Sequence, residues 1–325
     1  MNRGRTRIQL LALALFALTV QPLFAQDFPS KPIRLVVPFA PGGSTDIIAR
    51  SVGQKMAERL GQPVLTDNKP GASTTIGTEF VARSPADGYT MLLVPVPFVT
   101  AQYTFAKLGY DSRRDFAAVS QLINIPLVIA VNPARVEART LGAFVAAMKA
   151  QPGKFSMGSP GEGSHSHLAF ELFRMQTGVD ALHVPYKGSG PVITDLLGGQ
   201  IDFATAALPS VQGHIGTGKL RAIGAYPAQR TPAAPNVPTF SEQGLANFEV
   251  EAWFGVLGPK GMGAAAVKKV HDALVAAFAD PAVREAMAKQ GNTIRVGSTE
   301  QAQAAFRAEL AKYAALVKKV GLEPQ

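Results

Sequence analysis

The side chains best equipped for chemistry lie between residues 158 and 183. The stretch GSPGEGSHSHL (158–168) sets two imidazoles, His165 and His167, one residue apart. Glu162 precedes them, Glu171 follows them and His183 comes later. Three imidazoles could ligate a metal, but the nearby acids stand at no recognised ligand spacing. Cysteine is absent, which excludes zinc–thiolate sites, disulfides and thiol nucleophiles together. A general base would have to be His167 or His165; His167 reads better as a hydrogen-bond donor or a packing residue at a helix start. Other enzyme signatures fail. Residues 213–219 spell G-x-x-x-x-G-K, but Leu220 stands where Ser or Thr must ligate magnesium. Gly161-Glu162-Gly163 lacks the third glycine of a dinucleotide loop, and no G-x-S-x-G elbow occurs. No metal, no cofactor and no catalysis are expected.

Backbone amides offer a different chemistry. Three loops, at residues 41–46 (PGGSTD), 71–77 (GASTTIG) and 159–167, are rich in glycine and hydroxyl residues and precede helical patterns. At such a point unpaired N–H groups and the helix dipole attract an anion. One loop alone is explained by capping, which uses Ser, Thr or Asp in any protein, and by turns that need positive φ. Two such loops in one half and one in the other point to a shared cleft. Lys187 could meet a carboxylate or simply be solvated, and Trp253 and Phe254 read as packing at a crossing between halves.

The elements that must position these loops alternate. Residues 33–38 read as a buried parallel strand, followed by a helix with Ile48, Val52, Met56 and Leu60 on one face and Gly61 at its end. Strands at 63–66 and 91–94 continue the pattern of a parallel sheet with crossover helices. Residues 117–132 are too long and β-branched for one strand, so they should leave the first lobe, break at Pro126 and begin a second. There strands at 155–158, 184–186, 201–206 and 220–225 alternate with helices near 190–198 and 208–217. Residues 248–257 (FEVEAWFGVL) should cross back, and the tail reads as helices at 264–279, 281–290 and 299–319. The expected class is α/β: two lobes joined by two crossing strands, with the ligand at the strand ends.

The chain's 325 residues suit two lobes, and 47% hydrophobic against 17% charged residues marks a packed globular protein. Arg3, Arg5 and Arg7 precede an apolar run at 8–20, and Ala25 is a small residue at the expected cut. Residues 1–25 therefore read as a Sec-type signal peptide, too short for a membrane span, and the mature protein is expected in the periplasm. Three of the +9 net charges lie in that leader, and the remaining lysines are scattered, so no nucleic-acid partner is expected.

The motifs PSKPIRLVVPFAPGGSTDIIAR (29–50), DNKPGASTTIG (67–77), ADGYTMLL (86–93), GSPGEGSHSHLAFELF (158–173), HVPYKGSGPVITDLLGGQID (183–202), GKLRAIGA (218–225) and FEVEAWFGVLGPKG (248–261) follow one another. In this order the chain resembles the solute receptors of tripartite tricarboxylate transporters, the Bug family. The resemblance implies a type II periplasmic-binding-protein fold with residues 26–123 and 225–325 in one lobe and 124–224 in the other. It also implies capture of a small carboxylate without chemistry, delivery to membrane permease subunits, and, as a compatible reading, docking on a sensor kinase. The rival reading is an exported enzyme acting on a carboxylate.

In the family, backbone amides and ordered water hold the carboxylate. Carried over, the ligand-binding positions are Ala40, Pro41, Gly42, Gly43, Ser44, Thr45, Asp46, Gly71, Ala72, Ser73, Ser159, Gly163, Ser164 and His167, with Asp46 shaping its loop. Three departures bear on selectivity. The second loop has Ala72-Ser73-Thr74-Thr75 where relatives continue Gly-Ala-Gly-Gly-Asn. Val94-Pro95-Val96-Pro97-Phe98 replaces small polar residues, adding Val96 and Pro97 to the site. Ala206-Ala207 replaces Asp-Asn before Leu208-Pro209, adding Ala206 and removing an acceptor for a ligand ammonium. An aromatic acid or an aliphatic dicarboxylate is the expected solute.

Overall fold

The computed structural model describes residues 28–245 and 252–321. The expected signal peptide and residues 248–251 of the expected second crossing lie outside them. The chain runs β1 (Ile33–Val37), α1 (Ser44–Leu60), β2 (Val64–Asn68), a 3-10 turn at Ala72–Thr74, α2 (Thr75–Ala82), β3 (Thr90–Val94), α3 (Pro97–Thr104) and β4 (Phe116–Ile125). It continues through β5 (Leu127–Val131), α4 (Leu141–Ala150), β6 (Ser156–Ser159), α5 (His165–Thr177), β7 (Leu182–Pro185), α6 (Ser189–Leu197), β8 (Phe203–Ala207), α7 (Leu208–Gly216) and β9 (Arg221–Ala225). The last part is β10 (Ala252–Pro259), α8 (Ala264–Ala279), α9 (Pro281–Lys289), β11 (Thr293–Ile294) and α10 (Thr299–Val320).

These strands make two sheets, β11-β4-β10-β3-β1-β2 and β7-β6-β8-β5-β9. β1 lies parallel to β2 and β3, whereas β10 runs antiparallel between β3 and β4. In the second sheet β6 is parallel to β7 and β8, and β5 is antiparallel to β8 and β9. β1 is an almost unbroken apolar run because both of its faces are covered. Ile48, Val52 and Met56 of α1 lie buried four residues apart, and Gly61, left-handed at φ 68°, donates its amide to Ala57. No described helix is long and apolar enough to cross a membrane.

The passage between sheets turns on one residue. β4 ends at Ile125 in the first sheet and β5 starts at Leu127 in the second, with Pro126 between them. Proline carries no amide hydrogen, so the ladder stops there; its carbonyl accepts the amide of Leu208 at 2.9 Å instead. The pairing places the first changeover at Pro126, close to the expected 124, but the second beyond residue 245, at least twenty residues later than the expected 225. Ala225 still belongs to β9, and residues 226–245 pack on the second sheet: Tyr226 and Phe240 meet edge to face at 4.7 Å, and Gln243 Nε2 donates to the Ile223 carbonyl.

One helix near the cleft has no counterpart in the sequence reading, which assigns no element to residues 95–98. α3 begins there, with Pro97 in its first turn, where its fixed φ suits a helix start. Pro97, Phe98, Val99, Thr100, Ala101 and Thr104 are all buried, so the helix has little polar face to give it a period.

β10 is central to the first sheet, and α10 crosses it closely. A Cβ on Gly255 would lie 2.5 Å from Phe306 Cζ and 2.9 Å from the Ser120 carbonyl oxygen. Gly255→Ala is therefore expected to destabilise the protein by roughly 1–3 kcal/mol through overpacking. Denaturant unfolding measures this, and an unchanged midpoint would contradict the packing described.

Candidate functional site

The loops that follow β1, β2, β6 and β7 face one another across the two lobes, and much of the contact is backbone. The Ala40 amide of the first lobe donates to the Lys187 carbonyl of the second at 3.0 Å. Thr100 Oγ1 in α3 donates to the Gly163 carbonyl at 2.7 Å. Gly190 passes so near residue 41 that a Cβ on it would sit 2.9 Å from the Pro41 carbonyl oxygen. Apolar contact adds to this, since Val96 and Val99 of the first lobe share a core cluster with Leu168 of α5.

In the first loop Asp46 is an organiser. It is 5% exposed, and its carboxylate accepts the Gly42 amide at 3.1 Å, Arg50 Nε at 3.1 Å and Asn68 Nδ2 at 3.1 Å. Asn68 also donates to the Phe39 carbonyl, which ties the end of β2 to the loop. Burial works against the charged form of Asp46, but the bonds from Arg50, Gly42 and Asn68 outweigh it and hold its pKa below the ordinary carboxylate value. The carboxylate is thus neutralised and turned toward its own loop. Gly43 caps α1 without a side-chain bond, and no acceptor among the described residues takes the amides of Ser44, Thr45 or Asp46. Ser44 and Thr45 are themselves buried. These are the amides an anion would use.

The second loop is strained. Ala72, Ser73 and Thr74 have φ of 42°, 45° and 80°, the positive-φ non-glycine positions among the described residues. Left-handed backbone costs about 1–2 kcal/mol per L-residue, most for a β-branched one such as Thr74. The Thr75 and Thr78 hydroxyls brace the turn by donating to the carbonyls of Ala72 and Thr74 at 2.8 and 2.9 Å.

The third loop is held by a cluster under it. The His167 and His183 rings stack with centroids 3.9 Å apart and planes 9° from parallel. Glu162 bridges them, Oε2 lying 3.1 Å from His167 Nδ1 and Oε1 lying 3.1 Å from His183 Nδ1. Behind them Glu171 approaches His167 Nε2 at 3.6 Å and pairs with Arg174 at 2.7 Å. His183 Nε2 reaches Ser159 Oγ at 2.6 Å, and Ser164 Oγ caps α5 by accepting the His167 amide at 3.2 Å.

The three groups Glu162, His167 and His183 are close enough to invite a metal. Parallel stacking, however, sets the two Nδ1 lone pairs side by side, where a tetrahedral ion needs them to converge. The cluster reads as a hydrogen-bonded anchor. Burial lowers the His167 pKa, but Glu162 and Glu171 more than reverse this and raise it. Burial wins for His183, helped by the His167 charge, and lowers it despite Glu162. Hydrogen bonds from both imidazoles lower the Glu162 pKa strongly. His167 Nδ1 also lies 3.2 Å from the Gly163 amide. A proton on Nδ1 serves Glu162, and its loss lets that amide donate to the ring.

Among the positions singled out from the sequence, Ala40, Pro41, Gly42, Gly43, Ser44, Thr45, Gly71, Ala72, Ser73 and Gly163 therefore lie along the facing loops. The side chains of Asp46, Ser159, Ser164 and His167 are engaged within their own lobes. Val96 and Pro97 open α3, with Val96 in the core, and Ala206 is 6% exposed in the core of the second lobe. Sequence reasoning gave no site role to Thr74, Ser166 or Ser210 and considered His165 only as a base or metal ligand. Yet the side-chain oxygens of Thr74, Ser166 and Ser210 and both ring nitrogens of His165 are buried without hydrogen-bond partners among the described residues, all at helix starts near the cleft. Burial pushes the His165 pKa down to about 4, so the ring is neutral. Thr74, His165 and Ser166 share a place just after a loop that follows a strand, and that was the available signal.

Two hollows are lined by both lobes. One, of about 260 Å³, includes Phe39, Ser73, Thr74, Gly161, Glu162 and Lys187. The other, of about 460 Å³, includes Ala40, Gly42, Gly190, Ser210 and His214. A larger groove of about 850 Å³, with Lys31, Arg34, Phe80 and Arg83, lies on the first lobe alone and meets the second loop only at Ile76.

The model of the tripartite tricarboxylate transporter family receptor matches residues 48–322, and the chain belongs to that family. It is 36% identical over 302 residues to protein BugT of Bordetella pertussis, covering 92% of each chain. Among solved structures it is similar to Rpa4515 of R. palustris with adipate (TM-score 0.89, 29% identity, covering 92% of this chain and 100% of that one). It is also similar to MatC of Rhodopseudomonas palustris with bound malate (TM-score 0.82, 29% identity, covering 89% and 100%). The two-lobed α/β receptor fold expected from the sequence is the fold of this chain, and the chain is a solute-binding receptor of that family.

The histidine cluster sets a pH signature. His167, raised in the folded state, contributes stability that is complete below its unfolded value near 6.5 and is lost as pH rises through its folded pKa. His183 and Glu162, both lowered, contribute stability present above their unfolded values and lost as pH falls through their folded ones. NMR titration should find one imidazole of the stacked pair above the ordinary value and the other below it. In Glu162→Gln the His167 pKa should fall, and the alkaline-side loss of stability should shrink. An unmoved His167 titration in that variant would contradict the bridge.

Proposed function

We propose that this receptor captures a small carboxylate between its lobes, an aliphatic dicarboxylate or an aromatic acid, and delivers it to the membrane permease of a tripartite transporter. The observation that carries the reading is the start of α1. There the amides of Ser44, Thr45 and Asp46 meet no acceptor among the described residues, and the nearby acid, Asp46, is neutralised by Arg50. A helix start of this kind favours an anion by its dipole and by direct N–H donation. Relatives solved with adipate and with malate support a carboxylate as that anion.

The second lobe supports the absence of an ammonium on the solute. β8 ends in Ala206 and Ala207, which bring no acceptor, and Glu162, the acid lining the hollow, is already shared by two imidazoles. The same sharing argues against catalysis, since His167 is held between Glu162 and Glu171 as an anchor. Capture is a hinge closure, with the Ala40–Lys187 bond formed as the lobes meet. Residues 1–25 act as the leader that exports the chain to the periplasm.

Calorimetry with adipate, benzoate, citrate, glutamate, aspartate and adipamide tests the reading. Adipate or benzoate should bind tightest and adipamide not at all; tightest binding of glutamate or aspartate would overturn the assignment. Gly190→Val tests closure, because its side chain would meet the Pro41 carbonyl only when the lobes touch. It should weaken binding of the preferred acid at least about tenfold, as expected when a closed state is sterically blocked, with the unliganded melting temperature unchanged. Undiminished affinity in that variant would show that binding does not need this contact.

A further inference from the structure

The first lobe holds a pocket of about 430 Å³ that shares no residue with the three loops. That volume lies within the roughly 300–1,000 Å³ usual for small-molecule sites. Its floor is apolar: Phe98 of α3, Phe116 of β4, Leu257 of β10, and Phe306 and Leu310 of α10. Phe98 and Phe116 meet edge to face with centroids 5.0 Å apart, and Phe98, Leu257, Phe306 and Leu310 belong to one core cluster. Close packing therefore fixes these walls. Helix α10 presents Gln303, Phe306, Arg307 and Leu310 to the pocket, at the three- and four-residue spacing of one helix face.

The polar groups around this floor are uncommitted. The Tyr103 hydroxyl, the Gln303 amide and the Arg307 guanidinium have no hydrogen-bond or ion-pair partner among the described residues. Arg113, the second guanidinium, shares the Asp111 carboxylate with Arg114 and Gln102, and its contact is the longest of the three at 3.4 Å. No acid lines the pocket, and the nearby acid of α10, Glu309, already accepts the Trp253 indole N–H at 2.6 Å. An apolar floor edged by guanidiniums selects a molecule with an apolar body and an anionic head. The fork of arginine matches a carboxylate, and buried methylenes supply the affinity. A peptide or a nucleotide would bring polar surface that aromatic walls leave unpaired.

We propose that this pocket is a second ligand site of the receptor, taking a free fatty carboxylate of medium length, its chain on the aromatic floor and its head on Arg307 and Arg113. The site is separate from the cleft and does not rest on the carboxylate reading above. Every residue that lines it belongs to the first lobe, so it stays whole whether the lobes are open or closed.

Calorimetry with octanoate tests the assignment. Octanoate should bind, and octanamide should bind at least about tenfold more weakly for want of the charge-assisted bond. Each methylene added between butanoate and octanoate should tighten binding about fourfold, as burial of one methylene does. Arg307→Gln should weaken octanoate about ten- to a hundredfold, and Arg307→Lys, which keeps the charge without the fork, should lose less. Ala311 is exposed on α10 at the edge of the pocket, so Ala311→Phe should fill it and abolish octanoate binding with the melting temperature unchanged. Octanoate displaced by excess adipate, or bound undiminished by both Arg307→Gln and Ala311→Phe, would overturn the proposal and leave the reading of the cleft intact. Equal binding of octanamide, or no binding of octanoate, would overturn it as well. Arg307-dependent adsorption to phosphatidylglycerol vesicles without any response to octanoate would assign the pocket to membrane lipid and overturn the free acid.

Discussion

Closing two lobes over a cleft removes water from backbone groups that must still be hydrogen-bonded, and the rest of the site follows from that constraint. Strands end at the cleft and helices begin there, so amides at the starts of α1 and α5 collect in one place. Some are satisfied as the lobes meet, the Ala40 amide by the Lys187 carbonyl among them. Those of Ser44, Thr45 and Asp46 find no acceptor among the described residues, and the proposed carboxylate would supply what they lack: two acceptor oxygens and a negative charge at the positive end of a helix.

The ionisable side chains nearby are arranged so that an anion bound there would be unopposed. Asp46 is held by Arg50, Gly42 and Asn68, and Glu162 is held by His167 and His183. Each acid shapes a loop and is charge-compensated within its own lobe. On the proposed reading, recognition falls to backbone donors and to a few uncommitted hydroxyls, which suits a family whose members share a fold and differ in solute. The histidine stack beneath the third loop serves stiffness: it fixes the loop carrying Gly161 and Gly163, whose neighbours across the cleft are Ser73 and Thr100.

Much of this was legible in the residues. The apolar run of β1, the four-residue spacing in α1 and the break at Pro126 follow from periodicity and from proline's missing amide. The three loops were visible because glycine and hydroxyl residues cluster before a helical period. α3 was not, because a helix buried nearly all round shows no alternation of polar and apolar residues. The pairing of Glu162 with His183 was hidden as well, since it depends on β6 and β7 lying side by side, a contact across more than twenty residues. Val96 and Ala206 stood out as departures in composition, but both pack into cores, while Thr74 drew attention only once its backbone angle and its unpaired hydroxyl were known.

The central claim is that a carboxylate sits on the unengaged amides of α1 between closed lobes. A crystal structure of the receptor grown with saturating adipate tests it most directly. The account predicts one carboxylate within hydrogen-bonding distance of the Ser44 and Thr45 amides, with the Ala40–Lys187 bond in place. Adipate bound outside the cleft, or inside it with those two amides facing only water, would contradict it.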